Sequence, residues 1–288
     1  MTDSPNQRVA SSRGRLVRGL DGIGRSVYGR IDSVRGMLRF MGGATYLIGD
    51  TLHWIGRAVF TREARIGRVN LFAQMVRIGI RSIPIITLVQ VFIGIILALQ
   101  MAPTLASYGQ IQRVADIVAV AMFRELGPLL SGIVLSGFAG ASIAAELGTM
   151  VEGEEIKALR AIALNPIWFL VAPRFLATVI MLTMLTVIAD VVGVFGGFLT
   201  ATTILHIAPE QYLSYTQLAL THKDFISGLV KAGVFGVMIS MIACYEGLNV
   251  SGGAEGVGRA TTNTVVKSIV ALITADVLFT AVFYAFGI

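Results

Sequence analysis

Apolar residues gather into five long runs along the chain, at Ile83–Met101, Gly127–Ala145, Phe175–Ala201, Phe225–Tyr245 and Val265–Phe286. Each approaches or exceeds the ~20 residues an α-helix needs to cross about 30 Å of hydrocarbon. None alternates apolar and polar positions as the ~10-residue strands of a membrane barrel would. The expected fold is therefore all-α and membrane-integral, with five transmembrane helices. Two shorter stretches ahead of the first run also carry the helical period. In Tyr46–Phe60, Leu47, Ile48, Leu52, Ile55 and Val59 recur around Asp50, His53 and Arg57, and Trp54 suits headgroup depth, which predicts an interfacial amphipathic helix. From Ile66 onward Val69, Phe72, Met75, Val76 and Ile80 line one face and Asn70, Gln74, Arg77 and Arg81 the other. That pattern predicts a second amphipathic helix leading into the first span at Pro84.

Composition agrees: 55% of residues are hydrophobic and 14% charged, against about a quarter charged in ordinary globular domains. Charge is uneven. The first 82 residues carry 14 arginines and no lysine against five acidic residues, a formal +9 that leaves −3 for the rest. The chain thus divides into an Arg-rich tail (1–40), interfacial helices (41–82) and a five-span domain (83–288). The tail has no long apolar core, so it is not a secretory signal. A polybasic stretch ahead of a first span holds the N-terminus inside and touches anionic lipid, which disfavours nucleic acid as its partner. The segments Ala102–Ala115 and Thr202–Asp224 hold one basic residue each, Arg113 and Lys223. The loop after the second span has Lys157 and Arg160, with Arg174 beyond, and the last loop has Arg259 and nearby Lys267. The positive-inside rule then places the N-terminus in the cytoplasm and the C-terminus outside.

Within the second span Gly132, Ser136, Gly140, Ala144 and Gly148 recur at four-residue intervals, a groove that lets another backbone come close. Intramolecular packing and a dimer seam or sliding surface both fit it. Gly193, Gly196 and Gly197 in the third span and Gly228, Gly233 and Gly236 in the fourth add surfaces of the same kind. Ionisable groups at mid-span cost about 2.5–3.5 kcal/mol on insertion scales and call for partners. Arg124 and Glu125 open the second run, while Asp190 and Asp276 lie mid-span. A proton-coupled secondary transporter of a hydrophobic substrate would use such carboxylates as relays. Against it stand their small number and the absence of paired half-helix repeats, so interhelical hydrogen bonding is the favoured role.

Enzyme motifs fail on inspection. From Gly253 to Thr261 the spacing imitates a P-loop, but Arg259 stands where the phosphate-binding Lys must be and Ala260 where the Mg²⁺-binding hydroxyl must be, so the chain hydrolyses no ATP itself. Ser142, between Gly140 and Ala144, lacks the second glycine of a nucleophile elbow, and no histidine lies in a span to activate it. The lone Cys244 excludes an intramolecular disulfide, and His53, His206 and His222 lack ligand spacing, so no metal or cofactor of its own is expected. After the second span, Glu152, Glu154, Glu155, Lys157 and Arg160 alternate with Ile156, Leu159 and Ile162, which describes a short amphipathic helix able to dock on a soluble partner.

Four motifs together carry a resemblance: Arg-Glu-Leu-Gly-Pro at 124–128; Ala-Glu-Leu-Gly-Thr-Met at 145–150 followed by Glu-Ile-Lys-Ala-Leu at 155–159; Asn165–Pro166 with Pro173–Arg174; and Gly-Gly-Ala-Glu-Gly-Val-Gly-Arg-Ala-Thr-Thr at 252–262. Over about residues 40–288 the chain resembles the MlaE/YrbE family of ABC transporter permeases. The resemblance implies a homodimer in the inner (plasma) membrane, driven by separate ATPase subunits that use ATP and Mg. It further implies a hexameric MCE-domain partner outside, allows a STAS-domain subunit inside, and makes the cargo a phospholipid or another hydrophobic lipid. By the same resemblance Glu152–Leu164, with Glu152, Glu154, Glu155, Ile156, Lys157, Leu159 and Arg160, is the helix that couples to the ATPase. Leu97, Gln100, Leu105, Tyr108, Arg124 and Glu125 match the walls of a lipid cavity. Physically, a lipid site wants a cation or polar cluster beside an aliphatic wall, as Arg124 with Gln100 and Leu97 would supply. Arg124 and Glu125 satisfying each other or neighbouring helices fits the sequence equally well.

Overall fold

The computed structural model describes residues 35–36, 38–57 and 67–286, and among them there is no strand. Residues 1–34 of the expected tail and residues 58–66 lie outside the described residues. Gly49 onward forms one unit, which holds every contact discussed below. Residues 38–57 are helical (α1), and at its end the Trp54 ring packs 6.1 Å from that of Trp168, with the Arg57 guanidinium 5.4 Å above it.

Five helices are long and apolar enough to cross a bilayer. Helix α2 (Arg68–Ile78) and a 3₁₀ turn at Ile80–Ser82 lead into α3 (Ile83–Ser107), the first span. The second span is one segmented rod: α4 (Val114–Ala121), a π-turn at Met122–Leu126, α5 (Gly127–Leu135), a second π-turn at Ser136–Gly140 and α6 (Ala141–Glu152). Then come the short α7 (Glu155–Ala161), α8 (Ala172–Thr203), α9 (Pro209–Ala219), α10 (His222–Leu248) and α11 (Gly253–Phe286). The second span begins well before the expected Gly127, because apolar Val114–Ala121 extends it, and α3 runs through Pro103 to Ser107. The loop expected over Ala102–Ala115 shrinks to a tight turn after Ser107 and the 3₁₀ turn Ile111–Arg113.

Two π-turns have a cause in the sequence. Pro128 and Pro173 each stand two residues beyond one, after Met122–Leu126 and after Ile167–Val171. A proline cannot donate to the carbonyl four residues back, and its ring crowds that carbonyl, so the preceding turn widens. The π-turn at Ser136–Gly140 has no proline but keeps the small-residue stripe in line. A four-residue repeat drifts about 40° per step on a 3.6-residue helix, and one widened turn takes up part of that drift. The stripe is spent inside the chain: Gly132 faces Leu272 and Phe235, Gly140 faces Ile239 and Thr264, and Gly148 faces Val250 and Val257.

The third span, α8, packs between α3 and α10. Its contact with α3 is backbone on backbone, since a Cβ on Gly94 would lie 1.9 Å from Gly193 O and one on Gly196 2.3 Å from Val91 O. Such closeness lets dispersion hold helices together where lipid offers no hydrophobic drive. Buried hydroxyls turn back onto their own helix: Thr178, Thr186 and Thr200 donate to the carbonyls of Arg174, Leu182 and Gly196. At the far end, Tyr212 of α9 is buried, donates to Val194 O at 3.3 Å and stacks edge-on against Phe198, which pins α9 to the third span. Burial pushes its phenol pKa up, so it stays a neutral donor.

Helix α2 does not sort its faces as an interfacial helix would, since both expected faces are largely exposed and, among the described residues, only Arg77 of the polar one pairs with another helix. Val69, Phe72, Val76 and Ile80 are exposed, whereas Arg77 reaches the second span and Ile78 is buried. The close α3–α8 crossing is directly testable. Gly94→Ala should destabilise the protein by about 1–3 kcal/mol and lower its unfolding midpoint in detergent, because backbone cannot yield to the added carbon. Gly258→Ala, where nothing lies within 4 Å, should be neutral or gain up to about 1 kcal/mol. The reverse order would show that the α3–α8 contact is slack.

Candidate functional site

The widened turn before Pro128 turns Arg124 and Glu125 toward the fourth and fifth spans. Arg124 pairs through Nε with Asp224, which is 2% exposed and also closes a capping box at the start of α10, taking hydrogen bonds from the Thr221 backbone N–H and hydroxyl. Glu125 accepts from Lys231 Nζ at 2.6 Å and from Thr280 Oγ at 3.0 Å. Lys231 is 1% exposed and lies 3.0 Å from Asp276 Oδ1 and 3.1 Å from Thr280 Oγ. The ammonium donates to Glu125 and to the Thr280 hydroxyl, and Asp276 adds a second negative charge as an ion pair rather than a hydrogen bond. The Phe283 ring, 5.8 Å away, adds a π-face. Gly228 makes the meeting possible: a Cβ there would lie 2.2 Å from Phe123 O, so the fourth span approaches the π-turn with Asp224 and Lys231 on either side of the contact.

The expected lipid-wall residues are only partly gathered. Leu97 and Leu105 pack against the buried cluster of Ala98, Ala102, Val114, Val118 and Met122, which ends at this π-turn. Gln100 is exposed and Tyr108 is 75% exposed. Arg124 takes Asp224 as its partner, leaving 42% of its side chain exposed, so of the two roles open to Arg124 and Glu125 the structure shows pairing with neighbouring helices. Sequence reasoning passed over Lys231, Asp224 and Thr280. A lysine inside the apolar run Phe225–Tyr245 was the available signal, because an intramembrane cation demands a carboxylate. The interhelical hydrogen bonding expected of Asp276 and Asp190 is not what they make: Asp276 forms an interhelical ion pair with Lys231, and the buried Oδ1 of Asp190 has no hydrogen-bond partner among the described residues. Asp190 is buried against Gly127, whose Cα has room for the carboxylate only because it lacks a side chain, and Gln90 reaches Gly127 O and Ser131 Oγ at 3.5 Å.

At the other end of the second span the expected helix over Glu152–Leu164 is shorter. Glu152 ends α6, Gly153 breaks it, and Glu154 takes a left-handed conformation at φ 59°, so that α7 covers only Glu155–Ala161 before Ala163 repeats the left-handed turn at φ 60°. Ile156 turns inward with half-buried Leu159. Glu152, Glu155, Lys157 and Arg160 point out, and the apolar side chains left exposed are Ile162 and Leu164. Lys157 donates to Glu154 at 2.7 Å, which holds that carboxyl below its ordinary pKa. The result is a rigid, charged knob with two apolar contacts at its edge.

Comparison with known proteins covers both regions. The model of the family Permease MlaE matches residues 71–282. A probable ABC transporter permease protein of Rickettsia felis is 41% identical over 214 residues, 74% of this chain and 83% of the relative. The chloroplastic protein TRIGALACTOSYLDIACYLGLYCEROL 1 of Arabidopsis thaliana is 33% identical over 75% of this chain and 61% of its own length. The intermembrane phospholipid transport system permease protein MlaE of Haemophilus influenzae is 31% identical over 75% of this chain and 84% of the relative. With a match that takes in all five spans, the π-turn cluster and the α7 knob, this chain belongs to the MlaE family of ABC transporter permeases.

Proposed function

We propose that this permease moves phospholipid between membranes as a homodimer of the inner membrane. In this reading separate ATPase subunits, using ATP and Mg, dock on the α7 knob, an MCE-domain hexamer joins on the opposite side, and a STAS-domain subunit is a further cytoplasmic partner. One observation carries it: the family match contains both the knob and the membrane-buried Arg124–Glu125 cluster with its aliphatic flank, and a relative matched over 75% of this chain is named for intermembrane phospholipid transport. A phospholipid has a charged head and apolar tails, which suits a half-exposed guanidinium beside Leu97 and Leu105. Orientation follows from counting. Two spans separate α2 from α7, so both lie on one face, and their arginines and lysine make that face cytoplasmic. The fifth span then ends outside. The outer faces of α3 (Leu88, Phe92, Ile96) and α11 (Val266, Val270, Val277) are apolar and exposed, which leaves room for a second copy and for lipid.

Two predictions follow from this reading. The purified chain should hydrolyse no ATP until an ATPase subunit is added. In the complex, Glu155→Lys or Ile162→Glu should weaken docking by about 2 kcal/mol, roughly 30-fold in affinity, and depress ATP-driven lipid movement while the chain folds normally. Wild-type coupling in both variants would make α7 an ordinary solvated loop.

Cargo is tested at the cluster. Leu97→Trp and Arg124→Gln should impair lipid movement by reconstituted complexes, and Asp190→Asn, which keeps the side chain's shape, should be tolerated. Arg124→Gln strands the buried Asp224, so the double variant Arg124→Gln/Asp224→Asn separates folding from transport. Movement driven by a pH gradient without ATP, and lost in Asp190→Asn, would favour the proton-coupled alternative.

A further inference from the structure

A second polar site lies at the α7 end of the second span, some 20 residues beyond Glu125 in sequence and so about 30 Å along the helix. Between α2 and the second span is a cavity of about 140 Å³, with Gln74, Arg77 and Arg81 on one side and Phe138, Ser142 and Glu146 on the other. Arg77 donates to Glu146 Oε2 at 2.9 Å and to Ser142 Oγ at 3.4 Å. The other oxygen of Glu146 lies 3.1 Å from Arg174, which is 4% exposed and also donates to Leu170 O. One carboxylate therefore serves two guanidinium groups. Arg81, at the mouth of the cavity, has no acidic partner among the described residues. Three cations against one anion leave the cleft a net positive charge of two, and it is the exposed side chains of Arg77 and Arg81, rather than the buried and paired Arg174, that are open to a further anion.

The surroundings say what kind of anion fits. Glu146 stands six residues before the end of α6, about 9 Å along its axis, close to the boundary between headgroups and hydrocarbon. From Arg77 and Arg81 the surface continues into an open apolar trough along Phe72, Ala73 and Val76. Inside, the π-turn at Ser136–Gly140 brings Phe138 and Ala139 to the cavity wall. A cationic chamber too small for an acyl chain, opening onto an apolar trough, has the two halves of a glycerophospholipid in order. We infer that the cleft between α2 and the second span binds the phosphate headgroup of an anionic phospholipid from the leaflet on that side. Arg81 and the free edge of Arg77 hold the phosphate, and the acyl chains lie along Phe72 and Val76. The bound lipid fastens α2 to the second span. This site is separate from the Arg124 cluster, and its occupancy does not depend on what the transporter carries.

The test measures binding alone, with no transport or nucleotide. The full-length chain, with whatever subunits co-purify, is delipidated in detergent and titrated with phosphatidylglycerol, phosphatidylcholine or inorganic phosphate, and bound lipid is counted by native mass spectrometry alongside the unfolding midpoint. Phosphatidylglycerol should bind at least tenfold more tightly than phosphatidylcholine and raise the midpoint, and phosphate at matched concentration should do neither. Arg81→Gln should lower phosphatidylglycerol affinity about tenfold with an unchanged lipid-free midpoint, and Arg81→Lys should retain part of it. Ser142→Leu, which fills the cleft but keeps both arginines, should lose binding as well. Equal binding of the two lipids, undiminished binding in Arg81→Gln or Ser142→Leu, or protection by phosphate alone would each overturn the proposal.

Discussion

A charged group in hydrocarbon has no water to turn to, and the architecture follows from where this chain puts its answer. Lys231 would cost about 2.5–3.5 kcal/mol to insert alone. It instead donates to Glu125 from the second span and Thr280 from the fifth, and pairs in charge with Asp276 of the fifth. That requirement brings three spans together at one depth. It holds only because Pro128 widens the turn that presents Glu125 and Gly228 lets the fourth span touch Phe123 O. Removing one member of such a buried set strands its partners, typically at 3–5 kcal/mol, so proline, glycine and ions stand or fall together.

Close packing through small residues does the remaining work. The four-residue stripe of the second span is consumed by Phe235, Ile239, Val250, Thr264 and Leu272 of the same chain and by the turn that joins their helices. It therefore has nothing left to offer a second copy. Among the described residues the exposed apolar surfaces include the outer faces of α3 and α11, with others on α2, α8 and α10. A dimer built on them would meet through Leu, Phe, Val and Ile side chains rather than through glycine backbones.

Much of this was legible in the sequence, and what was missed has physical reasons. Length and hydropathy mark the five spans, because the bilayer imposes both. Periodicity marks α2, yet cannot say that Arg77 reaches Glu146 while Phe72 and Val76 are left exposed, since amphipathicity gives two faces without naming the solvent of either. Glu152 reads as part of one helix with Leu164, but Gly153 and left-handed Glu154 split it. The pairing of Arg124 with Asp224 joins residues 100 positions apart, and no local pattern encodes it. Lys231, a lone cation in an apolar run, was passed over, although its demand for a carboxylate is a signal that composition alone carries.

The second span ties these features into one lever. It runs from Arg124 and Glu125, through two π-turns, to Glu146 and then to α7, so both ends of the proposed transport cycle act on a single rod. At the α7 end Glu146 pairs with Arg77 of α2 and Arg174 of α8, so that three helices meet at one carboxylate. At the other end the rod holds the fourth and fifth spans by ion pairs, which can exchange partners at short range, whereas the α3–α8 contact is backbone on backbone and leaves no such freedom. Within the ion-paired set Arg124 keeps 42% of its side chain exposed, so in the proposed cycle a lipid phosphate arriving beside it would compete with Asp224 for the same guanidinium.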